Sequence, residues 1–202
     1  MINLIINNLY FAYPDRILLN NINLDLKSDG ITCITGCNGS GKSTLLQLMH
    51  GIIKPNRGYV QWEGEIQHPK IAMVFQKPLM LRRSVLANIQ FALNIQKNHA
   101  DPFEYLKLLN LEHLADQSAR SLSGGEQQKL EIARALALQP DIILLDEPTA
   151  HLDTAATMKI EQLLIDLSAQ GKKIFCASHD MSQVQRIATD ILHLQDAQLY
   201  RS

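Results

Sequence analysis

The stretch ITCITGCNGSGKST, residues 31–44, joins an apolar run to a glycine-rich loop and the start of a helix. Its second half fits the pattern GxxxxGK[ST], in the strand–loop–helix setting that the pattern requires. The glycines allow successive backbone N–H groups to face one anion, and the helix near Lys42 adds the positive end of its dipole. Lys42 supplies a charge for the β- and γ-phosphates, and the Ser43 hydroxyl can ligate Mg²⁺. We therefore predict a nucleotide phosphate site formed by Gly36, Cys37, Asn38, Gly39, Ser40, Gly41, Lys42, Ser43 and Thr44.

The composition suits a packed protein with little electrostatic attraction for polyanions. The chain has 202 residues, of which 46% are hydrophobic, and a formal net charge of −1. This length predicts one domain, or a domain with a small lobe. Because the net charge is close to zero, we expect no nucleic-acid partner. The three cysteines (Cys33, Cys37 and Cys176) form no CxxC pair, which argues against a disulfide framework or a zinc site and favours a reducing compartment.

The sequence contains no segment typical of a membrane anchor. No apolar run approaches the roughly 18–20 residues that span a bilayer. Residues 1–10 carry no Lys or Arg and place asparagines among their apolar residues, so we expect no signal peptide. Any work at a membrane would therefore need a partner that spans it.

Strand and helix patterns alternate along most of the chain. Helices are predicted at 42–50 and at 154–169, the second from apolar residues at i, i+3, i+4 and i+7. Residues 77–138, rich in Leu, Ala and Gln, are predicted to be mostly helical. Strands are predicted at 1–6, 22–27, 31–35, 71–75, 141–146, 173–177 and 190–194. The alternation favours an α/β fold with a largely parallel sheet, and the middle stretch would form a helical lobe.

A second chemical feature is the apolar strand that ends in Asp146 and Glu147, just before Pro148. Ligands of open α/β sheets bind at the carboxyl edge, where these two carboxylates would lie. We expect Asp146 to serve Mg²⁺, directly or through water, and Glu147 to orient or deprotonate the attacking water.

The segment LSGGEQ, residues 122–127, opens a helix rich in Ala and Leu and predicts a second anion site. One nucleotide does not need two such sites in one chain. With its phosphate loop and acidic strand end, this sequence resembles the ATP-binding subunits of ABC transporters, whose signature motif is LSGGQ or LSGGE. The resemblance assigns ATP contacts to Ser123, Gly124, Gly125 and Glu126.

Further motifs follow in the order found in that family, over essentially the whole chain. Tyr13 stands where an aromatic side chain stacks on adenine. Gln76 matches the glutamine that links Mg²⁺ with the transmembrane partner, and His179 matches the switch histidine. Residues 150–153, AHLD, match a motif that is usually SALD, with His151 as a departure. Cys37, which replaces a common proline, is a small filler or a thiol open to oxidation beside the nucleotide.

The resemblance implies a single ABC ATP-binding domain over residues 1–202. It would have a P-loop NTPase core, an N-terminal antiparallel β region and a helical lobe near residues 77–138. ATP and Mg²⁺ would bind between two copies arranged head to tail, with Glu147, His179 and Gln76 as catalytic residues and Ser43, Gln76 and Asp146 as metal ligands. A separate permease would be the direct membrane partner, and a solute-binding protein an indirect one. The chain itself would lie at the cytoplasmic face of the cell membrane.

The stretch from residue 75 to residue 89 is similar to the ATPases of tungstate-type oxyanion importers, and its apolar residues 78–81 lie where the family docks its permease. Importers of phosphate, molybdate or polar amino acids remain alternatives, as do ATPases of cell division and lipoprotein release. Translation and DNA-repair types are less favoured. Only one cassette is present, and Lys42 and Ser123 are only 81 positions apart, with no coiled coil between them. A kinase or GTPase is also disfavoured, because the LSGGE segment would have no function in such an enzyme.

Overall fold

The computed structural model of this chain describes residues 2–27 and 29–201, in which strands and helices alternate. The strands are β1 (Ile2–Tyr13), β2 (Arg16–Leu26), β3 (Ile31–Thr35), β4 (Arg57–Gly64), β5 (Ile71–Val74), β6 (Ile142–Asp146), β7 (Lys173–Ala177), β8 (Asp190–Gln195) and β9 (Gln198–Arg201). The helices are α1 (Lys42–His50), α2 (Val85–Ile95), α3 (Pro102–Leu108), α4 (Gly124–Ala137), α5 (Thr154–Ala169) and α6 (Met181–Ile187). Short 3₁₀ turns occupy Glu112–Leu114 and Ala119–Ser121.

The described strands form two sheets. One is antiparallel, in the order β2-β1-β4, and the other has the order β5-β6-β7-β3-β8-β9. The second sheet is parallel from β5 to β8, and β9 closes it as an antiparallel hairpin with β8. The parallel order brings the carboxyl ends of β3, β6 and β7 to the same edge, where the loops that follow them meet.

The larger sheet is buried on both faces. In β6, Ile142 and Leu144 belong to an apolar cluster with α1 and the antiparallel sheet. Ile143 and Leu145 belong to a second cluster with α2, α4 and α5. The strand therefore carries a continuous apolar run rather than an alternating one, as central parallel strands do. Within residues 2–27 and 29–201, no helix combines the length and the apolar character needed to cross a bilayer.

The α/β fold with a mostly parallel sheet and an N-terminal antiparallel region is confirmed, and α5 has the predicted bounds. The strands predicted at 1–6 and 22–27 are parts of longer strands, and residue 1 lies outside the described residues. Left-handed backbone at Asn8 and Asn21, together with shifts in register, obscures their pattern in the sequence. The strands β4 and β9 were missed because neither contains a buried residue, so no apolar run marks them.

Helix α4 carries a carboxyl group into the protein interior. Glu131 is 2% exposed. Loss of hydration raises the pKa of Glu131 to about 7, although the hydrogen bond from Leu79 N–H, the charge of Arg134 and the nearby backbone of Phe75 oppose this shift. Burial lowers the pKa of the Arg134 guanidinium, whose attraction to Glu131 acts in the opposite direction.

We expect this buried carboxyl group to make the protein less stable as the pH rises. A raised pKa means that the folded chain binds more protons than the unfolded chain between about pH 4.5 and 7. The free energy of unfolding should therefore fall across that window by up to about 3 kcal/mol relative to Glu131→Gln, which cannot ionise. Urea denaturation of both proteins from pH 5 to 8 measures the difference. If the free energies of unfolding of the two proteins changed with pH in parallel, the expectation would be wrong.

Candidate active site

The glycine-rich loop between β3 and α1 requires glycine where its backbone turns. Gly36 has a φ of 149°, and a Cβ atom there would lie 2.3 Å from the backbone oxygen of Leu194. Gly41, which precedes α1, has a φ of 109°, in a region that favours glycine. The loop therefore reaches α1 with its backbone free to face an anion at the helix N-terminus.

Lys42 lies at the centre of this loop. Its side chain is buried, and its Nζ donates hydrogen bonds to the backbone oxygens of Gly36 at 2.7 Å and Cys37 at 3.1 Å. Thr44 is also buried, whereas the Cys37 side chain is exposed. The lysine charge is thus held against the loop rather than extended into solvent, at the position predicted for phosphate.

The two carboxylates at the end of β6 differ in their surroundings. Asp146 is 5% exposed, and burial raises the pKa of its carboxyl group. The charge of Glu147 acts in the same direction, while a hydrogen bond with Ser43 and the charge of Lys42 oppose the shift. The predicted metal ligands Ser43 and Asp146 are therefore in direct contact.

Glu147 brings together the three side chains that were predicted to be catalytic. Its Oε2 accepts a hydrogen bond from Gln76 Nε2 at 3.0 Å, and its Oε1 lies 3.1 Å from His179 Nδ1. Its backbone has a φ of 48°, uncommon for a residue with a side chain, and its N–H donates to the oxygen of Ala177 on β7. Strained backbone of this kind clusters at functional sites.

A cavity of 490 Å³ lies beside the loop. Its lining includes six of the nine residues predicted to form the phosphate site, and two residues that sequence analysis missed, Arg16 and Leu18. Arg16 Nη2 donates a hydrogen bond to the oxygen of Gly39 at 2.7 Å. The lining residues are Tyr13, Arg16, Leu18, Asn38, Gly39, Gly41, Lys42, Ser43, Thr44, Gln76 and Glu147. The cavity combines basic groups and a helix N-terminus at one side with a carboxylate at the other.

Tyr13 lies at the end of β1, before the two-residue turn into β2. It is 53% exposed, and its ring packs edge to face on Phe11 with centroids 5.3 Å apart. About half of Tyr13 therefore remains exposed where it lines the cavity, and a flat aromatic base could stack on its ring there.

The predicted second anion site is built differently. Ser123 caps α4 in a capping box, in which Glu126 accepts hydrogen bonds from Ser123 N–H at 2.8 Å and Ser123 Oγ at 2.7 Å. These bonds lower the pKa of Glu126. Gly125 packs against Leu152, next to His151, where a Cβ atom would lie 3.1 Å from Leu152 Cδ2. None of Ser123, Gly124, Gly125 and Glu126 lines the cavity beside the phosphate loop.

A second cavity, of 630 Å³, adjoins the first and shares Glu147 with it. It is lined also by Leu152, His179 and Asp180. Gln183, which is fully buried, donates to Thr149 Oγ1 at 2.9 Å and fixes this wall. Sequence analysis missed Gln183, since a glutamine in a short helix carries no signal of such a contact.

The arrangement suits a nucleoside triphosphate with a hard cation. Lys42 and the N-terminus of α1 match phosphate charge. The oxygens of Ser43, Gln76 and Asp146 are of the type that Mg²⁺ prefers, and the contact between Ser43 and Asp146 means that one ion could reach both. The buried Asp146 carboxylate at the end of β6 therefore fits a magnesium site, and Glu147 beside it fits a base for water.

Comparison with known proteins agrees with this geometry. Residues 19–150 match the protein family described as ABC transporter. The tungstate uptake system ATP-binding protein TupC of Peptoclostridium acidaminophilum is 36% identical over 204 residues, covering 96% of this chain and 95% of the relative. The nickel import ATP-binding protein LarO of Lactiplantibacillus plantarum is 35% identical, covering 96% of this chain and 92% of the relative.

A solved structure extends the likeness to the whole fold. A dimeric ATP-binding cassette in a post-hydrolysis state, bound to ADP and phosphate, superposes with a TM-score of 0.87 at 31% identity. The match covers 100% of this chain and 98% of that one. Members of this family bind ATP with Mg²⁺ and act as dimers with transmembrane permeases. The family match over most of the sequence, the relatives at more than a third identity and the shared fold show that this chain belongs to the ATP-hydrolysing subunits of ABC transporters.

Proposed function

We propose that this chain drives an importer by hydrolysing ATP in the cavity beside Lys42. The contact of Glu147 with both Gln76 and His179, at 3.0 and 3.1 Å, carries this proposal. A carboxylate held between two polar side chains at the edge of a phosphate site is placed to take a proton from water. Gln76 and His179 orient that carboxylate, and Lys42 with the loop backbone binds the phosphates.

Ser43, Gln76 and Asp146 would hold Mg²⁺, which supplies positive charge to offset the charge of the phosphates. Burial of Asp146 makes a cation partner favourable, because an unpaired carboxylate with this little exposure is costly. The backbone of the loop from Gly36 to Thr44 would surround the phosphate oxygens. Cys37, whose thiol is exposed, precedes Asn38, which lines the cavity.

Tyr13 would stack on the adenine base. Base stacking on an aromatic side chain contributes about 1–3 kcal/mol. We therefore expect Tyr13→Ala to raise the KM for ATP about fivefold or more, with little change in kcat. Steady-state ATPase assays measure both. Tyr59→Ala, which removes another exposed tyrosine remote from the cavity, is the matched control and should leave KM unchanged. An unaltered KM in Tyr13→Ala would remove the stacking role.

A second copy of this chain would complete the site. Ser123, Gly124, Gly125 and Glu126 stand at the N-terminus of α4, outside the cavity of their own chain. In a head-to-tail pair they would cover ATP bound to the partner's phosphate loop. Each ATP would then contact the phosphate loop of one copy and the second anion site of the other. The ability of the helix N-terminus to bind an anion supports this arrangement.

The permease would dock on the segment from residue 78 to residue 81. Leu79 is 60% exposed, while Met80 packs against the core below it. An exposed leucine beside a partly buried methionine offers an apolar contact for a helix of the permease. The chain would then work at the cytoplasmic face of the membrane, as one ATP-binding domain whose helices between about 77 and 138 form a lobe.

The proposed cargo is tungstate or a related oxyanion. The 36% identity to a tungstate uptake ATPase supports it, together with the local similarity over residues 75–89. The nickel import relative is only slightly less similar, and we expect the solute to make no contact with this subunit. Phosphate, molybdate and amino-acid importers are therefore alternatives to be tested, along with ATPases of lipoprotein release or cell division.

Purification of the tagged chain from gently extracted membranes tests the importer. A multi-span permease accompanied by a solute-binding protein should co-purify. Calorimetry of that binding protein with tungstate, molybdate and phosphate then identifies the cargo, and we expect tungstate to bind with the highest affinity. Recovery of only ribosomes, division proteins or other soluble partners would contradict the transport function. Preference for another solute would contradict tungstate alone.

A further inference from the structure

One face of α4 carries buried polar side chains that contact the backbone after β5. Gln128 is 1% exposed, and its Nε2 donates to the oxygen of Phe75 at 3.4 Å. One turn later, Glu131 Oε1 accepts a hydrogen bond from Leu79 N–H at 3.4 Å. These two contacts attach the segment from Phe75 to Leu79 to α4 at both of its ends.

The attachment continues to α2 through Asn88. This side chain is fully buried, and its Oδ1 accepts hydrogen bonds from Leu81 N–H and from Arg134 Nη1, both at 3.2 Å. Its Nδ2 donates to the oxygen of Ser84 at 2.9 Å. Arg134 also lies 3.6 Å from Glu131 Oε1. Residues 75–81 are thus held by a connected polar network on α4 and α2.

Stability alone does not explain a carboxyl group at position 131. Burying a carboxyl group is unfavourable unless its oxygens are paired, and a well-packed apolar side chain is often at least as stable. Here Glu131 Oε2 and Gln128 Oε1 are buried without a hydrogen-bond partner among the described residues. We therefore attribute the network to the segment that it holds in place, residues 75–81, which contains Gln76.

We propose that Glu131 is a positioning residue that fixes residues 75–81 on α4 and thereby sets the contact of Gln76 with Glu147. The loop contains Gln76, 3.0 Å from Glu147, and α4 begins at the Ser123 cap. A movement of the exposed Leu79 would therefore also shift Gln76 and the helix that carries the second anion site. The catalytic part of this inference depends on the function proposed for Gln76.

Two variants of Glu131 separate positioning from packing. Glu131→Met keeps the volume but removes the acceptor for Leu79 N–H, whereas Glu131→Gln keeps an acceptor oxygen. In the full chain, we expect Glu131→Met to lower kcat about tenfold with the KM for ATP within twofold. Hydrogen exchange of the backbone amides of residues 75–81 should become at least threefold faster. Glu131→Gln should retain kcat within about twofold.

Asp190→Asn is the matched control, because Asp190 is a buried carboxylate at the amino end of β8, opposite the catalytic edge. It should change neither kcat nor exchange in residues 75–81. Unchanged exchange in Glu131→Met, or equal loss of kcat in both Glu131 variants, would overturn the positioning role. Gln76→Ala tests the catalytic assumption separately. Wild-type kcat in that variant, with faster exchange in Glu131→Met, would overturn the function of Gln76 and keep the attachment of the loop.

Discussion

Replacement of Glu147 by glutamine is expected to lower the rate of ATP hydrolysis at least a hundredfold while ATP binding remains close to normal. General-base catalysis contributes about 10²–10⁴ in rate, and an amide cannot accept the proton of water. Glutamine has the shape of glutamate, so the contacts with Gln76 and His179 need little rearrangement. The phosphate-binding groups on α1 are unchanged. The loss should therefore appear in kcat rather than in affinity.

Phosphate release and calorimetric titration with ATP measure the two quantities. Asp190→Asn again serves as control, since it neutralises a buried carboxylate far from the cavity and should keep normal turnover. Glu147→Gln with ATP should also accumulate as a dimer in size-exclusion chromatography, because ATP between two copies is no longer cleaved. Near-normal turnover in Glu147→Gln would show that another group activates the water.

Much of the site was predictable because its residues lie at strand ends. The apolar runs before Gly36 and Asp146 identify buried parallel strands, and such strands end at a common edge. This reasoning brings Lys42, Asp146 and Glu147 together without coordinates. The structure adds the closeness of Ser43 to Asp146, which spacing along the chain does not reveal.

Contacts between distant segments were not predictable in this way. Arg16 lies 23 positions before Gly39, and only the turn that pairs β1 with β2 brings its guanidinium to the loop. The network at Glu131 is equally hidden, since a glutamate in a helix is normally exposed. Strand β4 was not predicted for a different reason. Its pairing with β1 depends on backbone hydrogen bonds, while most of its side chains face solvent.

Lys42→Ala is expected to weaken ATP binding itself, by about tenfold to a hundredfold in Kd. Hydrogen bonds to charged groups contribute about 1.5–3 kcal/mol, and 1.4 kcal/mol corresponds to a factor of ten. The ammonium group is already held at the loop by the oxygens of Gly36 and Cys37, so little side-chain freedom remains to be lost on binding. Its removal deletes a preorganised charge rather than a mobile one.

Calorimetric titration with ATP measures the change, and Lys54→Ala is the matched control because it removes the same charge from an exposed position after α1. The control should bind ATP normally. Thermal unfolding separates binding from folding. Lys42→Ala removes both the cost of burying the ammonium group and its hydrogen bonds to Gly36 and Cys37, so a cooperative transition near the wild-type midpoint would show an intact fold. Weak binding with an intact fold would assign Lys42 to the phosphates, whereas normal binding would mean that the loop backbone and Arg16 suffice to hold them.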